Sequence, residues 1–259
     1  MKRLLAFVLL ALASASAQFM QAIPPKTADN CEVRADKMDK WLLDWANLTR
    51  YQKADSDAIR KSDPSRVVFM GDSITDHWDL AASFPGKPYV NRGISGQTTS
   101  QMLIRFQPDV VNLRPSAVVI LAGTNDIAGN TGPILIEQIE NNFSAMAAIA
   151  RANKIPVIVS SILPVHNYTE ASQKFFVSRP MAQIRVLNDW LRDFAKDQGY
   201  VYVDYFSVML DEKGLLKREL AADGLHPNAE GYKMMAEMLQ KAIDETLQKR
   251  NAPLKKVKK

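Results

Sequence analysis

The 259-residue chain contains one cysteine, Cys31, and three histidines. A single cysteine excludes an internal disulfide, so the core must hold by burial alone. Cys31 does not directly follow the apolar leader, so its position gives little support for a lipid anchor and a free or buried thiol is expected. No further ligand cluster accompanies the histidines, and neither a metal nor another cofactor is expected. Beyond the leader no apolar run approaches ~18 residues, so no membrane span is expected. Repeats and low-complexity segments are absent. Charged residues make up 24% of the chain, too ordinary a share for wholesale disorder. The basic excess is confined to the ends: without Lys2, Arg3, Lys255, Lys256, Lys258 and Lys259, the formal +5 becomes −1. The body therefore offers no basic face for nucleic acid.

At 47% hydrophobic, a chain of this length can bury a large single core. Its first residues, MKRLLAFVLLALASASAQ, pair a positive Lys2-Arg3 with an apolar stretch from Leu4 to Leu12 and an Ala15-Ser16-Ala17 cleavage site. Residues 1–17 read as a signal peptide, with export and a mature start near Gln18. Residues 18–61 read as a linker through Pro24-Pro25, followed by a helix from about Ala35 to Arg60. Its stripe of Met38, Trp41, Leu42, Trp45 and Leu48 has the spacing of a face packed on the domain. Residues 62–249 form the domain proper, and residues 250–259 a solvated basic tail.

Within the domain, five apolar strands are expected at Val67–Met70, Tyr89–Val90, Ala117–Ala122, Ile155–Ile162 and Tyr200–Tyr205. Helical patterns alternate with them: from Ser73 through Leu80, Thr98–Leu113 with a break at Pro108, Glu137–Asn153, Met181–Gln198, and from Pro227 to about Lys249. Val165–Arg179 reads as a long loop, of a length that is often functional. Such alternation implies an α/β fold, a three-layer α/β/α arrangement around a five-stranded parallel sheet. The turns after the first three strands, and the loop from Asp223 to His226, should then converge on one sheet edge.

Val67 to Thr75, VVFMGDSIT, carries the first chemistry. A buried strand meets Gly71-Asp72-Ser73, which suits a sharp turn into a helix with a serine at the edge of the sheet. A serine nucleophile needs a base, a group that orients the base, and donors for an oxyanion. His77 lies one turn along from Ser73, where its imidazolium would oppose the helix dipole. His166 follows the fourth strand and remains a rival base or a substrate contact. His226 has Asp223 three residues before it, on a loop short enough for carboxylate to meet imidazole. Gly96 and Asn125 stand on two further glycine-containing turns, one exposing a backbone N–H and the other offering amide donors.

Four stretches, Gly71-Asp72-Ser73-Ile74, Asn91 to Gly96, Gly123-Thr124-Asn125-Asp126 and Asp223-Gly224-Leu225-His226-Pro227, resemble the diagnostic blocks of the GDSL, or SGNH, hydrolases. They occur in the family's order and span about Arg66 to Lys241. The resemblance implies a flavodoxin-like sheet and hydrolysis of esters and thioesters without a metal. It implies Ser73 as nucleophile, His226 as general base and then acid, and Asp223 as its orienter. The oxyanion hole would comprise the backbone N–H groups of Ser73 and Gly96 and the side-chain N–H of Asn125. The serine lies in a G-D-S turn rather than a G-x-S-x-G elbow.

For the substrate, Trp78, Tyr168, Phe175 and Phe176 are candidates for an apolar rim, with His166 at its edge. No long lid helix is evident, which argues against a triglyceride lipase. Together with export, this favours deacetylation of plant or cell-wall polysaccharide, as in carbohydrate esterases of similar sequence. The expected partner is thus a small-molecule or polysaccharide ester. Lysophospholipid or acyl-thioester hydrolysis is the alternative. A non-catalytic carbohydrate-binding module would have lost at least one site position, and none is lost. A flavin protein of similar fold draws no support from the G-D-S turn.

Overall fold

The structure, a computed structural model, describes residues 42–251, nearly all of them in a unit that begins at Asp44. The signal-peptide, linker and Cys31 readings lie outside the described residues, as do residues 252–259 of the tail.

The long N-terminal helix does not extend through the described part of its expected span. Asn47 takes a left-handed conformation (φ 54), and the Asp44 carboxylate accepts from the Leu48 and Thr49 amides at 2.7 and 3.0 Å. Such local side-chain bonds compete with the helical ladder. Helix α1 therefore spans only Gln52–Arg60, and Leu48 is exposed rather than packed.

The strands are β1 (Val67–Gly71), β2 (Tyr89–Gly93), β3 (Ala117–Leu121), β4 (Val157–Ser160) and β5 (Val201–Val203). All are parallel, in the order β2-β1-β3-β4-β5. Their apolar, β-branched runs suit burial on both faces. β1 and β3 are buried at all five positions. One face packs Val68, Met70, Val118, Ile120 and Val159 against α4 (Thr99–Asp109), α6 (Ile136–Ala152) and α8 (Met181–Gln198). The other packs Val67, Phe69, Val119 and Ile158 against α2 (Ser73–Asp76), α3 (Leu80–Ser83) and α10 (Ala229–Asn251). This is the expected three-layer α/β/α fold with flavodoxin-like strand order.

At three of the boundaries that differ from expectation, a side chain caps a helix. The Val165–Arg179 stretch contains α7 (Glu170–Val177), with Thr169 and Ser172 forming a reciprocal capping pair. β5 stops before Tyr205 because Asp204 accepts from the Ser207 amide and starts α9 (Tyr205–Met209). Pro227 stands ahead of the final helix rather than opening it. Asn228 Oδ1 is the cap, accepting from the Glu230 and Gly231 amides at 3.1 Å each.

The topology reverses between β1 and β3, because β2 lies on the far side of β1 and the chain must cross back to form β3. Parallel sheets place ligands outside the carboxyl ends of strands at such a point. The turns after β1, β2 and β3 meet there, beside α5 (Thr124–Ile127).

Candidate active site

β1 ends at Gly71 for a steric reason. A Cβ there would lie 2.1 Å from Thr75 Oγ1 and 2.9 Å from the Leu121 carbonyl. The turn thus folds back tightly on its own helix and on β3, and only glycine fits. Asp72 Oδ1 then caps α2 by accepting from the Ile74 amide at 3.0 Å. Ser73 follows as the first residue of α2.

Ser73 Oγ lies 2.9 Å from His226 Nε2, and His226 Nδ1 lies 2.7 Å from Asp223 Oδ2. The other carboxylate oxygen of Asp223 accepts from the amides of His226 (2.8 Å) and Leu225 (3.0 Å). Burial pushes the Asp223 carboxyl up. The bonds from the His226 ring and from the two amides outweigh that effect and hold it below the usual carboxylate range. An anion on Nδ1 keeps that nitrogen protonated and leaves Nε2 free to accept a proton from Ser73. The Tyr232 hydroxyl donates to the Ile74 carbonyl at 2.8 Å and ties α10, which follows His226, to α2.

The other two turns are bound to this one. The Ile94 amide donates to the Gly71 carbonyl at 3.0 Å. Gly96 has φ +81, and a Cβ there would meet only Asn130 Nδ2 at 3.8 Å. Backbone conformation rather than crowding requires glycine, and the space before its backbone is open. Asn125 Nδ2 donates to the Gln97 carbonyl at 3.1 Å, which joins the third turn to the second. Asp126 extends that tie by accepting from the Thr99 amide and hydroxyl at the start of α4. Arg105, fully buried, supports the ensemble from below: its guanidinium donates to the Gly71 and Arg92 carbonyls and to Gln97 Oε1 and pairs with Asp109.

The profile of the GDSL-like Lipase/Acylhydrolase family matches residues 69–234, from β1 into α10. The chain belongs to that family. It is an ester-hydrolysing enzyme. Its structure resembles that of a GDSL-like lipase from Bacteroides thetaiotaomicron, with TM-score 0.70 and 37% identity, covering 77% of this chain and 98% of the other. An acetylxylan esterase of Geobacillus stearothermophilus is 26% identical over 211 residues, 69% of this chain and 93% of that protein. An uncharacterised lipoprotein of Bacillus subtilis is 27% identical over 178 residues, 57% of this chain and 73% of that one.

Most of the expected substrate rim of this GDSL enzyme is not at the cleft. Trp78 is largely buried, its Nε1 donating to Ser83 Oγ at 2.9 Å and its ring packed against Phe69, Phe84 and Tyr232, and it lines a groove between α3 and α10 rather than standing at the serine. His166 is fully buried. Its Nε2 bonds the Ala221 carbonyl at 2.7 Å, and its Nδ1 accepts from the Tyr168 amide at 3.2 Å. With both nitrogens engaged, it is neither base nor substrate contact and instead holds the α7 side of the fold to the loop before Asp223. Tyr168 stacks on His166 and donates its hydroxyl to Asp211. Phe176 packs against the core. Only Phe175 meets the site, its ring perpendicular to that of His226 with centroids 5.6 Å apart. His77 lies against the same imidazole, with centroids 5.5 Å apart. Arg105, Arg179 and His77 in its role as a wall were not identified from sequence. Arginines in helical or loop context carry no local signal of what they brace.

Asp72 is 1% exposed, and its Oδ2 has no hydrogen-bond partner among the described residues. Burial pushes this carboxyl up to about 7, against the pull of the Ile74 amide and the Arg179 guanidinium, with Asp126 adding to the rise. An acid raised in the fold binds its proton more tightly there than in the unfolded chain. Its contribution to stability is full below about pH 4 and is lost as pH rises through about 7. Asp109 and Asp126, each raised to about 6 chiefly by burial, act in the same direction. Asp72→Asn keeps the capping oxygen and removes one titration. The fall in melting temperature between pH 4 and pH 7.5 should therefore be shallower than in wild type. Equal slopes would assign that titration to other groups.

Proposed function

We propose that the protein is an exported serine esterase that deacetylates carbohydrate esters such as acetylated xylan through an acyl-enzyme on Ser73. The observation that carries this reading is the hydrogen-bonded series from Ser73 Oγ through the His226 ring to Asp223, at 2.9 and 2.7 Å. In the reaction, Ser73 Oγ attacks the ester carbonyl carbon as its proton passes to His226 Nε2. The carbonyl oxygen becomes an oxyanion held by the backbone N–H groups of Ser73 and Gly96 and by Asn125 Nδ2. The bond to the leaving alcohol then breaks, and His226 returns the proton to it. Water, deprotonated by His226, attacks the acyl-enzyme, and collapse of the second oxyanion releases the acid and Ser73. Asp223 stabilises the imidazolium formed in both halves.

The carbohydrate lean draws on the acetylxylan esterase relative. It also draws on a groove of about 1040 Å³ between α3 and α10, with His77 among its walls. Its lining includes the aromatic Trp78 and Phe84 together with the hydrogen-bonding Glu237, Gln240 and Asp244. His77, whose ring lies against the His226 imidazole, joins this groove to the serine, and the alcohol portion of a long substrate would extend along it. Export is supported by the leader and by the lipoprotein relative. Acetate release from acetylated xylan should exceed fatty-acid release from a lysophospholipid at equal ester concentration. A clear preference for the lipid would replace this reading with that of a lysophospholipase.

A further inference from the structure

An oxyanion donor of the asparagine type is useful only one way round. The two ends of the amide have nearly the same shape, yet a nitrogen would hold an oxyanion and an oxygen would repel it. The surroundings of Asn125 settle which end faces which neighbour. Arg179 Nη2 lies 3.0 Å from Asn125 Oδ1. A guanidinium carries five N–H donors and no acceptor, so only the oxygen can face it. On the other side the Gln97 carbonyl, an acceptor only, faces Nδ2 at 3.1 Å. The two neighbours agree, and one hydrogen on Nδ2 is left for a ligand.

The arginine is itself firmly held. It is 4% exposed, its Nε donates to Thr124 Oγ1 at 2.9 Å, and its Nη1 donates to Ser178 Oγ at 2.9 Å. Its guanidinium carbon lies 5.6 Å from the centroid of Phe175, the ring that packs on His226. One side chain at the end of α7 thus grips two consecutive residues after β3 and touches the aromatic wall of the histidine.

We propose that Arg179 is a positioning residue for the oxyanion hole: it fixes the flip of the Asn125 amide so that Nδ2 faces the carbonyl under attack. It contacts no reacting atom. The inference rests on the reading of Asn125 as an oxyanion donor.

The test is a double-mutant cycle on the full-length enzyme, with kcat and KM measured on a short-chain acyl ester and folding checked by melting temperature. Asn125→Ala should lower kcat by ~10²–10³. Arg179→Met should lower kcat by roughly 10- to 100-fold with KM within about threefold, because an interaction made only in the transition state is weakened. The decisive arm is Arg179→Met in the Asn125→Ala background, where its cost should shrink to within about threefold. A general structural role would instead carry the same factor into both backgrounds, and that result would overturn the proposal. If Arg179→Met does not fold, the same cycle is read on Arg179→Lys, which keeps one charged donor and gives up the fork. Its kcat loss, of roughly three- to tenfold, should vanish with Asn125→Ala, and persistence of that loss would be equally fatal. The two levels separate cleanly. Asn125→Ala within threefold of wild type rejects the oxyanion donor and this inference together. A large Asn125→Ala loss beside Arg179→Met within threefold of wild type rejects Arg179 alone.

Discussion

Ser73→Ala should lower kcat on any ester substrate by ~10⁵–10⁶ and leave the fold standing. The magnitude follows from what is removed. With no oxygen on residue 73 no acyl-enzyme forms, and only the oxyanion donors and substrate binding remain to assist direct attack by water, worth ~10³–10⁴ over the uncatalysed reaction. The fold survives because the side chain contributes one hydrogen bond, to His226 Nε2, and the cap of α2 belongs to Asp72. His226→Ala should fall to a similar floor, and the double variant should lose no more than either single one, because the two groups act as a unit. Additive losses, or turnover by Ser73→Ala within a hundredfold of wild type, would place the nucleophile elsewhere. The measurement is steady-state kcat with active-site titration by a serine-directed organophosphorus ester, which should label wild type at one site and Ser73→Ala at none.

What was legible in sequence follows from how local each signal is. β1 and β3 are unbroken apolar runs because both faces of a central parallel strand are covered, and their positions were readable to within a residue or two. The convergence of the Ser73, Gly96, Asn125 and Asp223–His226 loops was legible through the alternation of strands and helices, since a parallel sheet sends every such turn to the same edge. Helix α7 was not legible. It is eight residues long, its mixed composition gives a weak stripe, and its start signal is a Thr169–Ser172 pair rather than the common Ser/Thr with Glu. Missing α7 concealed Arg179 as a part of the site, because a loop gives no reason for a buried arginine at its end. His166 misled in the opposite sense: a histidine after a strand has the address of a catalytic group. Its two hydrogen bonds, to Ala221 and Tyr168, depend on a loop over fifty residues away and on a neighbour's backbone direction, and neither is written in the local pattern.

Asp223→Asn should lower kcat by ~10⁴ while the histidine stays in place. The reason lies in how the carboxylate is held. Oδ1 accepts from two backbone amides, of Leu225 at 3.0 Å and His226 at 2.8 Å, and Oδ2 faces His226 Nδ1 at 2.7 Å. An asparagine keeps its oxygen on the two amides, since turning it over would set its NH₂ against two N–H donors and forfeit both bonds, about 1 kcal/mol each. Its NH₂ therefore faces Nδ1 and donates, so Nδ1 must be the unprotonated nitrogen and the proton resides on Nε2. That nitrogen then cannot take the proton of Ser73, although every heavy atom is within a few tenths of an ångström of its native place. Nitrogen-15 NMR of the imidazole should show the protonated nitrogen moving from Nδ1 in the wild type to Nε2 in the variant. A variant that keeps the wild-type tautomer and a kcat within tenfold would show that Asp223 does no more than fill space beside the ring.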